Sequence, residues 1–238
     1  MRTRLCLLLL FVSAAALGQT APPRLPPEQQ SLWNAYFRSV YDSAVYERVN
    51  VRELFPLRAD HDGNVRVATL GRRDGNVGDP ILSSGEGIWV TVVPEVQTIC
   101  RQFTGDVPMQ LRELLGLPPD ADVPRFLILQ ARAADIFRPS PYPDPMTKYP
   151  CPEPPDATCG NAFPSYADKM PAHVLWIATA SFNLHAIPYG YPWTHLGYTY
   201  NWAPGKDRYG ASEYVIRAGA TATIVAKSSA VEYCAPAH

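Results

Sequence analysis

The sequence predicts a single α+β domain with a mainly antiparallel sheet and a few packed helices. Segments with helical periodicity and segments with strand character are interspersed along the 238 residues, but they do not alternate regularly enough for a doubly wound parallel sheet. Near the C-terminus three strand patterns follow one another, separated by turn residues, as in an antiparallel meander. A chain of this length is ordinary for one domain and can bury an ample core.

Residues 1–18 have the features of a secretory signal peptide. Arg2 and Arg4 precede an apolar run, and small residues follow at the cleavage positions. The run is too short for a permanent anchor, and we expect no transmembrane segment in the mature chain. We therefore expect a secreted or periplasmic protein with a flexible lead at 19–27 and one globular domain at 28–238.

The charge balance argues against nucleic acid as a partner. The chain has 21 Lys and Arg against 22 Asp and Glu, and it contains no basic cluster of the kind that phosphate backbones attract. The sequence makes no prediction of an oligomeric state.

Five cysteines occur in the chain, and one of them lies inside the signal peptide. An even number in an exported chain favours disulfides, so the other four suggest two bridges. Of the three possible pairings we favour Cys100 with Cys234, and Cys151 with Cys159. The second pair would cross-link a proline-rich insertion at 138–164. A zinc site is the alternative, but no Cys-x-x-Cys pair is present.

Apolar residues at steps of three and four predict the helices. The first helix carries Trp33, Phe37 and Val40 on one stripe. Ser165 and Asp168 indicate that the last helix begins after them. The predicted helices span 27–49, 94–103, 109–115 and, from Pro171 onward, a segment that ends near 185.

Alternating or continuous apolar runs bounded by turn residues predict the strands. The continuous run at 88–93 is typical of a central strand, and the glycine-rich segment 71–87 is predicted to be a loop. Residues 60–64 resemble the start of a calcium loop, but a tight turn explains the same Asp, Gly and Asn residues. The predicted strands span 54–57, 65–70, 88–93, 126–131, 195–202, 212–217 and 221–226.

Eight aromatic residues lie between positions 187 and 216. In the predicted strand 195–202 the rings alternate with polar residues, so rings and polar groups point to opposite faces. The ring-bearing face is expected in the core. The other face, with Thr199 and Asn201 beside Trp193 and His195, would either line a ligand cleft or remain solvated. We take Trp193, Thr199 and Asn201 as candidate ligand-binding residues.

A second group of candidate residues lies at 207–214, where Arg208 and Glu213 share one hairpin. A guanidinium can hold a phosphate or carboxylate through two hydrogen bonds. A glutamate can stabilise a cation or act as a general base. With His195 these two residues form a candidate catalytic set. A surface loop with ion pairs explains the same residues without catalysis.

The run Asp-Arg-Tyr-Gly-Ala-Ser-Glu-Tyr at 207–214 resembles the Asp-Arg-Phe-Gly-Ser-Glu-Tyr-Gly motif of secreted NAD glycohydrolases of the tuberculosis-necrotising-toxin type, with Ala211 inserted. The resemblance covers eight residues. It implies that Arg208 contacts the dinucleotide phosphates and that the enzyme cleaves the nicotinamide–ribose bond.

Three functions remain open from the sequence. The first is an exported protein that binds a small molecule or a glycan at an aromatic-lined site, and the second is the NAD-cleaving enzyme. The third is an envelope structural or interaction protein that uses the insertion 138–164 as its contact. We predict no metal site, because the histidines lack the spacing of a helical zinc pair, and no cofactor.

Overall fold

The computed structural model describes residues 26–44, 50–150, 170–186 and 190–236. These residues form five α-helices and eight strands. The helices are α1 (Pro27–Ser43), α2 (Glu95–Cys100), α3 (Val107–Leu114), α4 (Pro171–Ala186) and α5 (Ala230–Cys234). The strands are β1 (Asn64–Gly71), β2 (Pro80–Leu82), β3 (Ile88–Val92), β4 (Arg125–Arg132), β5 (Ile136–Phe137), β6 (Tyr198–Tyr200), β7 (Tyr209–Ile216) and β8 (Thr221–Ser229).

The strands form an antiparallel sheet in the order β2-β8-β4-β1-β3-β7-β5, and β6 pairs with β7 outside this path. This arrangement confirms the predicted α+β class with its antiparallel sheet. Strand β3 lies between β1 and β7. The continuous apolar run of β3 therefore forms a central strand, as predicted.

The two faces of the sheet bury two separate cores. On one face, alternate branched residues such as Val67 and Leu129 form a cluster that Ile81 of β2 and Ile136 of β5 also join. Because β2 and β5 are the two ends of the sheet, the sheet wraps around this cluster. The other face packs against α2, α3 and α5, with Phe126 among the residues of that second core.

The predicted strand at 54–57 is wrong, because this segment does not join the sheet. The Leu54 N–H donates to the Lys148 carbonyl at 2.7 Å, and the Leu57 N–H donates to the Pro145 carbonyl at 2.9 Å. Two of its backbone N–H groups are thus satisfied by the connection that follows β5, and the Phe55 N–H donates to the Ser212 hydroxyl. The prediction that 71–87 is entirely loop is also wrong, since β2 lies within it and pairs with β8.

The predicted strand at 195–202 is shorter than expected and is reduced to β6. His195 has φ 59° and Gly197 has φ 76°, and such left-handed values interrupt an extended strand. The ring-bearing face still lies in the core as predicted, because Tyr198 and Trp202 are buried. The turn at 60–64 is confirmed by the Asp60 carboxylate, which accepts the N–H groups of Asp62 and Asn64.

Cys100 and Cys234 form a disulfide that joins the end of α2 to the end of α5. This is the favoured pairing for these two residues. The predicted signal peptide 1–18, residues 45–49 of the predicted first helix and the predicted pair Cys151 and Cys159 lie outside the described residues. Of the proline-rich insertion 138–164, the structure describes 138–150.

Aromatic residues attach helix α1 to the hairpin of β6 and β7, here called the C-terminal hairpin. The Tyr36 ring meets the Trp202 ring edge to face at 5.8 Å, and the Tyr36 hydroxyl donates to the Gly190 carbonyl at 2.8 Å.

Among the described helices, none combines the length and apolar composition that crossing a bilayer requires.

Candidate functional site

A cavity of about 320 Å³ lies on the sheet face that also carries the second core. Its floor is a row of neighbouring residues on three strands, in which Ala68 pairs with Thr91 and Thr91 pairs with Glu213. Residues opposite each other on paired strands point to the same face. Ala68, Thr91 and Glu213 therefore lie side by side under the cavity.

Aromatic and apolar side chains form most of the cavity wall. Trp89 of β3 and Trp193 line the cavity and meet edge to face at 5.8 Å. Trp176 of α4 packs against both of these rings, at 6.0 Å and 6.2 Å. Leu184 of α4 and Leu117, which follows α3, also line the cavity. Sheet, helix and connecting loop thus line a mainly apolar cavity that opens to the surface.

Glu213 is the one acidic residue in the described lining of this cavity. Its side chain is buried, and Oε1 has no hydrogen-bond partner among the described residues. The Glu213 backbone N–H donates to the Gly197 carbonyl at 2.9 Å, which fixes the position of the residue. Burial raises the pKa of Glu213 to about 8, and a hydrogen-bonding interaction with the Trp193 side chain, which falls outside regular hydrogen-bond geometry, lowers it by less. The carboxyl is therefore largely uncharged at neutral pH.

Trp193 contributes a second buried polar atom to the same wall. Its Nε1 is also withdrawn from solvent and makes no hydrogen bond of regular geometry in the described part of the chain, but the Trp193 side chain faces the Glu213 carboxyl closely enough to lower the pKa of that carboxyl. An isolated bridge to Thr199 holds the Trp193 backbone. The His195 ring lies against the indole with a centroid distance of 4.0 Å. Nε1 is a donor only, whereas Glu213 Oε1 can accept.

Glu95 stabilises the strand from which Glu213 projects. Its carboxylate accepts the Ser212 N–H at 3.0 Å and the Ser212 hydroxyl at 3.1 Å. Burial raises the pKa of Glu95 to about 7, and these two hydrogen bonds lower it by less. Two buried carboxyls thus meet consecutive residues of β7: the Glu95 carboxyl of α2 accepts from Ser212, and the carboxyl of Glu213 itself lies at the cavity.

The predicted ligand-binding residues are divided between two places. Trp193 and Thr199 line the cavity, but the Thr199 hydroxyl already donates to the Leu114 carbonyl at 2.7 Å and accepts the Ala211 N–H at 2.9 Å. Asn201 lies in a separate groove of about 370 Å³ between α1 and the C-terminal hairpin. Of the three, Trp193 contributes a ring to the cavity wall, and its Nε1 is buried beside the Glu213 carboxyl.

The predicted catalytic residues are divided in the same way. Glu213 lines the cavity and His195 packs against Trp193. Arg208 lies in the separate groove with Arg38, and its Nη1 donates to Asn50 Oδ1 at 3.4 Å. The structure therefore does not bring Arg208 and Glu213 to one site.

Several residues of the site were not predicted from the sequence. Trp89 and Thr91 belong to a continuous apolar run, which indicates only burial. Leu184 and Leu117 reach the cavity through the packing of α4 and of the α3–β4 connection.

Within the described residues, no group of three or more His, Cys, Asp or Glu side chains is arranged to hold a metal ion.

Comparison with known proteins adds no assignment to this geometry. No protein-family model matches the chain, and the searches of curated proteins and of solved structures found no match.

Proposed function

We propose that the protein binds a small, largely apolar molecule in the cavity, with Glu213 as the polar anchor. The observation that supports this proposal is the Glu213 carboxyl, which is buried in the wall of an otherwise apolar space and whose Oε1 has no hydrogen bond of regular geometry among the described residues, although the Trp193 side chain lies beside it. A buried polar group without a hydrogen bond costs stability. Buried titratable groups of this kind are found preferentially where a ligand or a reaction uses them.

The size and chemistry of the cavity favour a small molecule over a glycan. Its volume of about 320 Å³ is at the lower end of the range for small-molecule sites, roughly 300–1,000 Å³. A sugar carries hydroxyls around its ring and needs several polar partners. The described lining offers few, because the Thr199 hydroxyl is already engaged.

The two other predicted functions have less support from the structure. NAD cleavage has less support because two of its proposed catalytic residues, Arg208 and Glu213, line different cavities. It stays a prediction. Release of nicotinamide from NAD, abolished by Arg208→Ala, would support it. A partner contact through the insertion 138–164 also stays a prediction, and deletion of the insertion with unchanged partner pull-down would contradict it.

Export is part of the proposal. The Cys100–Cys234 disulfide supports it, because such bonds persist in oxidising compartments. If residues 1–18 are a cleaved signal peptide, the mass of the protein isolated from its native host will correspond to a chain beginning near residue 19. A mass that retains 1–18 would contradict export by this route.

Binding is tested by thermal unfolding and titration calorimetry with propylbenzene as the probe. We expect it to raise the melting temperature in a concentration-dependent manner, because a ligand that binds only the folded state stabilises it. Leu70 lines the cavity, and Leu70→Trp should fill it and abolish the effect. Leu82→Trp is the matched control, because Leu82 lies on the edge strand β2 and is 62% exposed.

Two outcomes would contradict the proposed function. One is the absence of stabilisation and of binding heat with propylbenzene and with its hydroxylated analogue, 4-propylphenol. The other is equal binding by wild type and a folded Leu70→Trp variant, since binding would then take place elsewhere.

A further inference from the structure

We infer that the groove between α1 and the C-terminal hairpin binds a small organic dianion through Arg38, Lys206 and Arg208. The ligand class is a short carbon body that carries two negative charges on oxygen atoms, as a dicarboxylate or a phosphate monoester does. This groove is separate from the cavity that contains Glu213, so the inference does not rest on the proposed function.

One wall of the groove is a single face of helix α1. Asn34, Arg38 and Asp42 line the groove and follow one another at steps of four residues, which places them in one row on a helix. The edge-to-face contact of Tyr36 with Trp202, at 5.8 Å, holds this helix against the hairpin. The groove is therefore already formed in the protein without a ligand.

The opposite wall is the turn that joins β6 to β7, which carries Lys206 and Arg208. The Asn201 N–H donates to the Arg208 carbonyl at 2.8 Å, and the Lys206 N–H donates to the Ala203 carbonyl at 3.2 Å. These backbone bonds fix the turn, while the side chains of Lys206 and Arg208 are exposed. Two cations on a fixed backbone thus lie across the groove from the helix.

The groove has an excess of positive charge. Its lining contains three cationic residues and one acid, Asp42, in a chain whose formal net charge is −1. Asp42 is spaced to pair with Arg38 on the helix, yet no ion pair joins them, and Lys206 has none with any described residue. Like charges that line one concave surface focus their field on it and attract anions.

Tyr200 shows that the charges of the two walls reach the same place. Burial raises the pKa of Tyr200, the Asp42 carboxylate raises it as well, and the Arg208 guanidinium lowers it. An acid of the helix and a cation of the hairpin therefore both act on one hydroxyl within the groove. A molecule bound there would meet side chains of both walls at once.

The lining also indicates the size and shape of the ligand. A guanidinium binds a carboxylate or phosphate through two parallel hydrogen bonds, and an ammonium group adds a compact charge. The groove has a volume of about 370 Å³, which suits a small molecule. The half-buried Tyr200 ring and Pro204 supply apolar surface for a carbon body. Three cations against one acid favour a ligand with two negative charges over a ligand with one.

The test uses ring compounds of similar size that differ in charge. Titration calorimetry at neutral pH and low salt, where screening is weak, measures the affinities of phenyl phosphate, phthalate, benzoate and benzyl alcohol for the full mature chain. We expect the two dianions to bind about fivefold or more tightly than benzoate, and benzyl alcohol not to bind. The tighter of the two dianions then distinguishes a phosphate ligand from a dicarboxylate.

Variants assign the binding to the groove. Arg38→Gln and Lys206→Gln should each weaken dianion binding about fivefold or more, whereas Asp42→Asn should strengthen it about twofold or more. Arg58→Gln is the matched control, because Arg58 is exposed in another groove and its loss changes the net charge by the same amount. Leu70→Trp, which fills the separate cavity, should leave dianion binding unchanged.

Three outcomes would overturn the inference. The first is the absence of dianion binding up to about 10 mM, and the second is equal affinity for phthalate and benzoate. The third is an equal effect of Arg58→Gln and Arg38→Gln, since the overall charge and not the groove would then attract the anion. None of these outcomes bears on propylbenzene binding in the cavity, so the inference and the proposed function fail separately.

Discussion

The Ser212 hydroxyl donates to the Glu95 carboxylate at 3.1 Å and accepts the Phe55 N–H at 2.9 Å. Through this one side chain, α2, β7 and the segment after α1 are joined in a buried network. Because Ser212 precedes Glu213 in β7, the network also fixes the backbone that carries the proposed anchor.

Replacing Ser212 by alanine should lower the free energy of unfolding by about 1–3 kcal/mol, because a buried acceptor and a buried donor lose their partner. The measurement is equilibrium urea denaturation. Ser84→Ala, at an exposed position in the loop before β3, is the control and should change stability by less than about 0.5 kcal/mol. Equal stability of the two variants would show that the Ser212 network contributes nothing.

Glu213→Gln should reduce the dependence of stability on pH. Glu213 has a folded pKa of about 8 against an ordinary value of 4.5, so between these values the folded state binds more protons than the unfolded state. Its contribution to the free energy of unfolding is therefore present below pH 4.5 and is lost as pH rises through 8. At pH 8 the variant should be more stable than wild type by an amount on the order of a few kcal/mol.

Urea denaturation of both proteins at pH 5, 6, 7 and 8 checks this sign. The comparison with the variant is essential, because burial lowers the pKa of His173 and so acts in the opposite direction on the wild-type profile. Burial also raises the pKa of Glu95 to about 7, and Glu95 remains in both proteins. If the difference between the two proteins does not change with pH, the Glu213 carboxyl is not titrating as described.

Removing the Cys100–Cys234 disulfide should lower the free energy of unfolding by roughly 3–5 kcal/mol in the chain-entropy model. The bond closes a sequence separation of 134 residues, so it constrains a long loop of the unfolded chain. The double variant Cys100→Ala, Cys234→Ala is preferred to chemical reduction, because a reductant would also act on the bridge predicted between Cys151 and Cys159. An unchanged urea midpoint in the double variant would contradict the prediction.

Arg138 is fully buried and holds the connection after β5 against the sheet. Its guanidinium donates to the Thr147 hydroxyl at 2.8 Å, to the Thr147 and Tyr149 carbonyls at 2.6 Å and 2.7 Å, and to the Tyr214 hydroxyl at 3.2 Å. Arg138→Met should cost about 3 kcal/mol or more, because these acceptors lose their donor.

Limited proteolysis measures the local effect of this substitution. Trypsin should cleave after Lys148 faster in Arg138→Met than in wild type, since the loop is no longer held. Arg132→Met is the matched control, because Arg132 is exposed at the end of β4. Equal cleavage rates in Arg138→Met and Arg132→Met would mean that the guanidinium does not hold the loop.

Gly210→Ala should lower stability by more than about 2 kcal/mol or prevent folding, since overpacking of this kind forces backbone shifts. A Cβ at Gly210 would lie 2.1 Å from Thr199 Oγ1 and 2.3 Å from the Leu114 carbonyl oxygen. Gly75→Ala is the milder control, because its Cβ would meet the flexible end of Ile224. A Gly210→Ala variant as stable as Gly75→Ala would contradict the packing described.

The secondary structure could be predicted wherever a periodic pattern extended over several residues. The helices at 94–103 and 109–115 and the strands at 65–70, 88–93 and 126–131 correspond to α2, α3, β1, β3 and β4. The predicted strands at 54–57 and 195–202 were wrong or too long for specific reasons. The first bonds to a distant loop, and the left-handed backbone of His195 is invisible to a pattern of alternating rings.

The site was only partly predictable from the sequence. Trp193 and Glu213 were both named, but in different roles, because nothing in the order of residues shows that they share a cavity. Arg208 and Glu213 lie five positions apart in the sequence, yet they line different cavities. Local spacing indicates which residues have useful chemistry, whereas strand register and the packing of α4 decide which of them meet.

The clustering of indoles around the cavity gives the molecule a built-in optical reporter. Trp89 and Trp193 line the cavity and Trp176 packs on both, so three of the five tryptophans would lie at or next to a molecule bound there. Trp33 and Trp202 lie together in the contact between α1 and the hairpin and supply an internal reference. Changes in the intensity and wavelength of tryptophan fluorescence would therefore report occupancy of the cavity in real time, without a label on the protein.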